Sequence, residues 1–512
     1  MSTSLSLFLP LLLSAGRAAS LDADVVVDVV VVGAGYAGLD SARRLLAGGA
    51  TVHVVEALDR VGGRAYDTLL ENSNFTIENG VAFIGSRTEQ PFAYELIVDQ
   101  LGVGTFEFPI WGPGDCDNDD PFKCHADLLC RQRNGSVHAF SNLFPDIVTN
   151  KCVGDPKAVA DLLIVTAELI AMAKEVNVEA PWDCKHAAAW DGQTFGSWLR
   201  SRMDPAGFEY MRITVEPDLC EDVDAVSVLH ALFLSNAGGG IFDGLYAFNN
   251  VLRIQGGGGE PARRLAARLA GTAGYSSSFQ ERVHRIKQDN ASVTVYTSSS
   301  VIQAQRVIVT GVPSVTAKIA FEPPLTANKR RALELMNGGT VVRMMAVYNQ
   351  GPFWRRQNLS GSFGDLAPFT LAGLGYDMTP SDAKKDGYIP KTGVPGVIQV
   401  ETAGRETAIY AAMSAEQRRH NFTSTLAALF GPEALNASDV LFFDFNTVPT
   451  LGGGKSAYPP GAWSEVGRFL SEPHGRIHWA GTEYSTLGFG YMEGALRSSA
   501  ATSQQVLSEL QF

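Results

Sequence analysis

A chain of 512 residues, 45% hydrophobic and 19% charged, carries enough apolar material for two packed domains and excludes a disordered chain. Its formal charge of −13 excludes nucleic acid as a partner, because phosphates need a basic face; an acidic surface favours cationic ligands instead.

The first twenty residues, MSTSLSLFLPLLLSAGRAAS, hold an apolar run from Leu5 to Leu13 followed by small residues suited to cleavage near Ala18 to Ser20. This is the pattern of a secretory signal peptide. No basic residue precedes Arg17, which leaves an organellar presequence as the alternative. Six sequons, at Asn74, Asn134, Asn290, Asn358, Asn421 and Asn436, fit passage through the secretory pathway, and a secreted or lumenal glycoprotein is expected.

Residues 25 to 32, VVVDVVVV, form a β-branched run of strand length that leads into GAGYAG at 33 to 38 and a helical pattern from Leu39 to Ala47. In such a strand, turn and helix, Gly33 permits the tight turn, Gly35 lets backbone approach a pyrophosphate, and Gly38 lets helix and strand pack closely. The helix start faces the phosphates with free N–H groups. A second strand, ATVHVVEA, ends at Glu56, whose carboxylate can accept from a ribose diol. In DRVGGR at 59 to 64, Gly62 and Gly63 allow close approach, and Arg64 offers a guanidinium to phosphate oxygens; its bland reading is a solvated surface turn.

Cys116, Cys124, Cys130 and Cys152 crowd into an Asp/Gly/Pro-rich stretch with no strand or helix period, where disulfides are expected. Their spacing matches no zinc pattern, so no metal is expected. A helical region from about 155 to 235 precedes strand-rich segments at 281 to 310, with SVTVYT and RVIVTG. No apolar run of eighteen residues follows the signal, so no membrane anchor is expected.

The stretch from VVVVGAGYAG to DRVGGR resembles the FAD-binding start of the flavin amine oxidase family, which includes monoamine, polyamine and L-amino-acid oxidases. HWAGTEYSTLGFGYMEGALR at 478 to 497 resembles that family's C-terminal FAD motif, with AGTE at 480 to 483 and GYMEGA at 490 to 495. PWDCKHAAAWDGQTFGSWL at 181 to 199, KIAFEPPL at 318 to 325 and GPFWR at 351 to 355 resemble monoamine oxidase segments, whereas 110 to 155 looks like an insertion. The resemblance implies a mixed α/β fold: a discontinuous, doubly wound FAD-binding domain (21–95, 251–325 and 441–512) interleaved with a sheet-and-helix substrate domain (96–250 and 326–440). It implies FAD as cofactor, an amine or amino acid and dioxygen as small-molecule partners, and oxidation of an amine to an imine with release of hydrogen peroxide. The cofactor then carries the hard step, and the protein orients the C–H bond and keeps the amine neutral in a dry site.

Site residues follow from the same resemblance. Lys318 matches a lysine linked through water to flavin N5, and with Ile319 and Phe321 beside it would be desolvated; read locally, it is a surface lysine before the Pro323–Pro324 turn. Tyr491 matches one wall of an aromatic cage, Tyr348 a substrate-pocket tyrosine, Val283 an adenine contact, and Glu483 and Met492 flavin contacts through side chain and backbone.

Several positions depart from the family pattern. In GGGKSAYPPG at 452 to 461, Gly454 stands where monoamine oxidases carry the cysteine bound to flavin, so non-covalent FAD is expected. Lys455 stands where the second cage aromatic belongs, with Tyr458 three residues on, and a cationic wall would repel ammonium and attract a carboxylate. Phe83 lies where amino-acid oxidases carry a carboxylate-binding arginine, Arg87 is offset from it, and Leu58 replaces an arginine common after the ribose-binding acid. The alternatives to an amine oxidase are an L-amino-acid oxidase and a non-catalytic FAD-binding relative.

Overall fold

The β-branched run Val25–Val32 becomes the central strand of an eight-stranded sheet, parallel to Val52–Val55 on one side and to Val301–Val309 on the other. Val29, Val30 and Val31 are fully buried because both faces of this strand are covered, which is why the run is continuous rather than alternating. Tyr275–Ser278 extends the parallel set beyond Val52–Val55. The strand Val301–Val309 is divided between two neighbours. Its last residues pair in parallel with Ile477–Trp479 near the C-terminus, and its first residues pair antiparallel with Val293–Tyr296, to which Arg285–Gln288 and then Ala320–Glu322 are added. The helices Tyr36–Ala47 and Met492–Glu509 pack together on one face, burying Leu39, Leu45, Leu496 and Val506 in one apolar cluster. This is the doubly wound arrangement expected, with its parts drawn from distant stretches of chain.

The computed structural model describes residues 23–70, 75–107, 127–140, 152–238, 252–367, 373–379 and 394–510. The expected signal peptide, Asn74, Cys116 and Cys124 lie outside the described residues. No helix of the described residues is long and apolar enough to cross a membrane.

A second sheet of seven strands runs in the order 439–444, 341–348, 396–403, 374–377, 359–365, 127–131 and 137–140. Alternation along its strands sends Val342, Met344, Ala346 and Tyr348, with Ile398 and Val400, against the helices Arg405–Ala412 and Ala415–Phe430, whose Tyr410, Phe422 and Leu426 close that cluster. Residues of the opposite parity, Met345, Val347 and Val397, pack against Ile77 and Ala82. The strand Asp439–Asp444 pairs with Val341–Tyr348, so the boundary expected at 440/441 falls inside an element of the second sheet.

The cysteine-rich stretch differs from its reading as periodless. Asp127–Arg131 and Val137–Phe140 form a hairpin at the edge of the second sheet, turning at Asn134 and Gly135, and Cys130 is disulfide-bonded to Cys152. The Asn-Gly pair was the available turn signal. Cys184 and Cys220 are unpaired.

Candidate active site

Between the two sheets lies a cavity of about 1000 Å³. One end is built by the glycine turn. Gly33 has a φ of +109°, and a Cβ on Gly38 would fall 1.9 Å from the Gly33 carbonyl oxygen, so only glycine lets the helix start this close to the strand end. Gly38 thus acts through packing and does not line the cavity, whereas Gly33, Gly35, Gly62 and Gly63 do. The Gly62 N–H donates to the Ala34 carbonyl at 2.9 Å, which brings the second glycine pair against the first. A Cβ on Gly35 would meet nothing closer than 4.0 Å and would project into the cavity. The helix Tyr36–Ala47 has no side-chain N-cap, leaving its first N–H groups for a ligand.

Glu56 lines the same end. Its carboxylate accepts from the Ala34 N–H at 2.6 Å and the Leu58 N–H at 2.8 Å, while burial pushes its carboxyl above the usual range. Val283, 7% exposed, also lies on the wall. An anion-ready helix start, a buried carboxylate at the end of the second strand and a cradle that one Cβ would fill together fit a dinucleotide whose pyrophosphate sits at the turn.

Arg64 and Glu483 do something other than expected. Arg64 Nη1 and Nη2 donate to the two Glu483 oxygens at 2.6 and 2.9 Å, and Nη1 also donates to the Gly454 carbonyl at 3.0 Å. The Glu483 side chain is 1% exposed and takes a third hydrogen bond from Ser456 Oγ at 3.2 Å. It does not reach the cavity, where Gly481 and Thr482 form the wall. A buried carboxylate needs a partner, and this bidentate bond ties the glycine turn to the C-terminal motif. Arg64 still borders the cavity, but its two terminal nitrogens are held by protein oxygens.

The other end of the cavity gathers charges. Lys455 Nζ donates to the Tyr491 hydroxyl at 2.8 Å and lies 4.7 Å from the ring centroid, so the expected cationic wall is engaged by the tyrosine beside it. Arg343 Nε and Nη2 reach Glu401 at 2.9 and 2.7 Å, and Nη1 donates to the carbonyls of Asn79 (3.1 Å) and Gly80. Asp218, Cys220 and Tyr376 complete this end. Of these, the sequence singles out only Lys455 and Tyr491. Arg343 and Glu401 carried a visible signal, since each is a single charge within an apolar strand, VVRMMAVY and GVIQVETA. Met492 lines the wall as the first residue of the helix Met492–Glu509, whose N-cap Tyr491 supplies no side-chain bond.

The structure separates Lys318 from Tyr348. Lys318 borders the cavity but is exposed, and it stands beside the strand Ala320–Glu322, where the Ala320 N–H donates to the His284 carbonyl at 2.9 Å. Val283 and His284 line the cavity too, and buried Phe321 lies in the strand that follows. Tyr348 does not line the cavity. It is 2% exposed, donates to the Ala434 carbonyl at 2.9 Å, and packs edge-on against Phe353 and Trp354 on the helix-covered face. Five positions from Arg343, it has the opposite parity along the strand. Phe83 lines the cavity, whereas Arg87 pairs at the surface with Asp99 at 2.6 Å.

Fold and cavity together define a dinucleotide-binding protein with a chamber between its two sheets. Residues 36–507 match the model of the flavin containing amine oxidoreductase family, and the chain belongs to that family. It is 30% identical over 491 residues to AofH of Mycobacterium tuberculosis, named as a flavin-containing monoamine oxidase, covering 94% of this chain and 97% of that protein. It is 28% identical to an L-amino acid dehydrogenase of Synechocystis sp., over 94% and 95% of the two chains. Among solved structures it resembles cyclohexylamine oxidase from Brevibacterium oxydans, with a TM-score of 0.79 at 25% identity, covering 94% of this chain and 99% of that one. Putrescine oxidase bound to putrescine shares the fold, with a TM-score of 0.81 at 22% identity over 94% and 99%. The protein is an FAD-dependent oxidoreductase that oxidises an amine with dioxygen and forms hydrogen peroxide.

Proposed function

We propose that the substrate is a primary amine without an α-carboxylate, oxidised to an imine that hydrolyses to an aldehyde and ammonia, with FAD held non-covalently. The observation that carries this reading is that the cations at the reactive end are already engaged, Lys455 by Tyr491 and Arg343 by Glu401. An amino-acid carboxylate would have to share Lys455 with the Tyr491 hydroxyl or displace Glu401 from Arg343. Bound FAD would supply the two-electron oxidising chemistry at this end, with dioxygen as the final acceptor.

The chain's own residues prepare this step. The uncapped helix starts at Gly35 and Tyr491 would hold the pyrophosphate and the flavin edge, Glu56 would receive the ribose diol, and Val283 would pack the adenine. Tyr491, its hydroxyl fixed by Lys455, presents one aromatic wall to the amine. Val341, Leu374 and Phe83 give the chamber an apolar wall, which favours the neutral amine. The leader sequence, the sequons and the Cys130–Cys152 bond support secretion.

The competing reading is an L-amino-acid oxidase, favoured by Lys455 on the wall and by the named activity of the Synechocystis relative. Peroxide release by the purified protein should follow benzylamine, tyramine or spermine and be absent with leucine and phenylalanine. Turnover of the amino acids alone would overturn the amine reading.

A further inference from the structure

Among the described residues, the sequon at Asn134 differs from the others. Asn134 is exposed at the turn between Asp127–Arg131 and Val137–Phe140, in the stretch that looks like an insertion, just after the disulfide-bonded Cys130. Its Oδ1 accepts from the Ser136 N–H at 2.8 Å and from the Ser136 hydroxyl at 2.7 Å. Two donors fix that atom as the oxygen, so the other is the nitrogen, and it has no partner among the described residues. At the other described sequons the hydroxyl is engaged elsewhere. Ser292 Oγ accepts from Gln303, Ser360 Oγ and Thr423 Oγ1 donate to the carbonyls of Asp127 and Arg419, and Ser438 Oγ accepts from the Asn349 N–H.

The turn at Asn134 is closed by residues 134 to 136, so it needs no tertiary contact and is available to the chain before folding. It is still exposed afterwards. Asn421 is the opposite case. It is half-buried in the helix Ala415–Phe430, between neighbours that pack inward, Phe422 at 0% and Thr423 at 5% exposure, and the Tyr410 hydroxyl donates to its Oδ1 at 3.4 Å. A bulky saccharide there would displace this packing, so chains modified at Asn421 would not reach the fold. We propose that Asn134 carries an N-linked oligosaccharide and that Asn421 stays bare. The Asn134 Nδ2 attacks the anomeric carbon of an oligosaccharide carried on a lipid diphosphate. The N–C bond forms, the C–O bond to the diphosphate breaks, the diphosphate leaves with the electron pair, and the amide gives up one proton to solvent. This inference rests on the secretory reading and adds the modified residue to it.

The test is glycopeptide mass spectrometry on the full chain collected from the medium of a eukaryotic secretory host, before and after peptide-N-glycosidase. The Asn134 peptide is expected to carry a glycan that the glycosidase removes, and the Asn421 peptide to carry none. Asn134→Gln and Ser136→Ala should each lower the intact mass by one glycan, whereas Ser136→Thr, which keeps the sequon, should retain it. A secreted protein with Asn134 bare, with a glycan on Asn421, or with an intact mass that Ser136→Ala leaves unchanged would overturn the proposal while secretion stands. A chain retained inside the cell with every sequon bare would instead overturn the secretory reading, and this inference with it.

Discussion

An Arg64→Met variant is expected to lose about 3–5 kcal/mol of stability, because it leaves the Glu483 carboxylate buried with its bidentate partner gone. The loss should appear in the thermal melt of the protein stripped of FAD, since the bond joins two protein segments 419 residues apart. If Arg64 served chiefly a phosphate, the stripped protein would melt as the wild type does and only FAD affinity would fall. Pairing the change with Glu483→Leu should recover part of the stability, because a matched apolar pair removes the orphaned charge. Arg64→Lys alone should not, as a single ammonium cannot reproduce the two-pronged contact.

Replacing Lys329 by Met is expected to raise stability at neutral pH. Lys329 is 3% exposed; its Nζ donates to the Leu470 carbonyl and lies 4.0 Å from the Trp479 ring centroid, with no carboxylate in contact among the described residues. Burial lowers its pKa from 10.5 to about 6, with only a distant Glu472 opposing. Between those values the unfolded chain holds a proton that the folded protein has released. Stability therefore rises with pH across that window, and the penalty is fullest at and below about pH 6. Every tenfold loss of proton affinity on folding costs about 1.4 kcal/mol where the proton must be given up, against about 1–3 kcal/mol for the carbonyl left without its donor. The variant should melt on the order of a few degrees higher at pH 7, with the gain shrinking steadily toward pH 10. Melts from pH 6 to 10 check this, and a gain that grows with pH would contradict the assignment.

These two residues show where reading from sequence stops. The turn from Gly33 to Gly38 and the acid Glu56 were legible because strand, turn and helix are contiguous, and their geometry follows from residues within a few positions of one another. The C-terminal motif placed Tyr491 and Met492 on the cavity wall for a similar reason, since both sit at one helix start. Arg64 and Glu483 are recognisable as site residues but not as partners, because nothing local says that segments so far apart will pair.

Tyr348 was misplaced by parity. An aromatic in an apolar strand can face either side, and only the register against Gly396 and the helices beyond decides which. Lys318 borders the cavity yet is exposed, so its apolar sequence neighbours do not bury it. Asp218, Arg343 and Glu401 meet only because a helix end and two strands of the second sheet converge on one end of the cavity.

This chain binds FAD and uses it to oxidise an amine. The most direct measurement is the visible absorption spectrum of the purified protein during anaerobic titration with an amine, followed by admission of air. The account predicts flavin bands that bleach on adding amine, return with oxygen, and leave the protein on acid denaturation. A protein without bound flavin, or one whose flavin bands no amine bleaches, would contradict it.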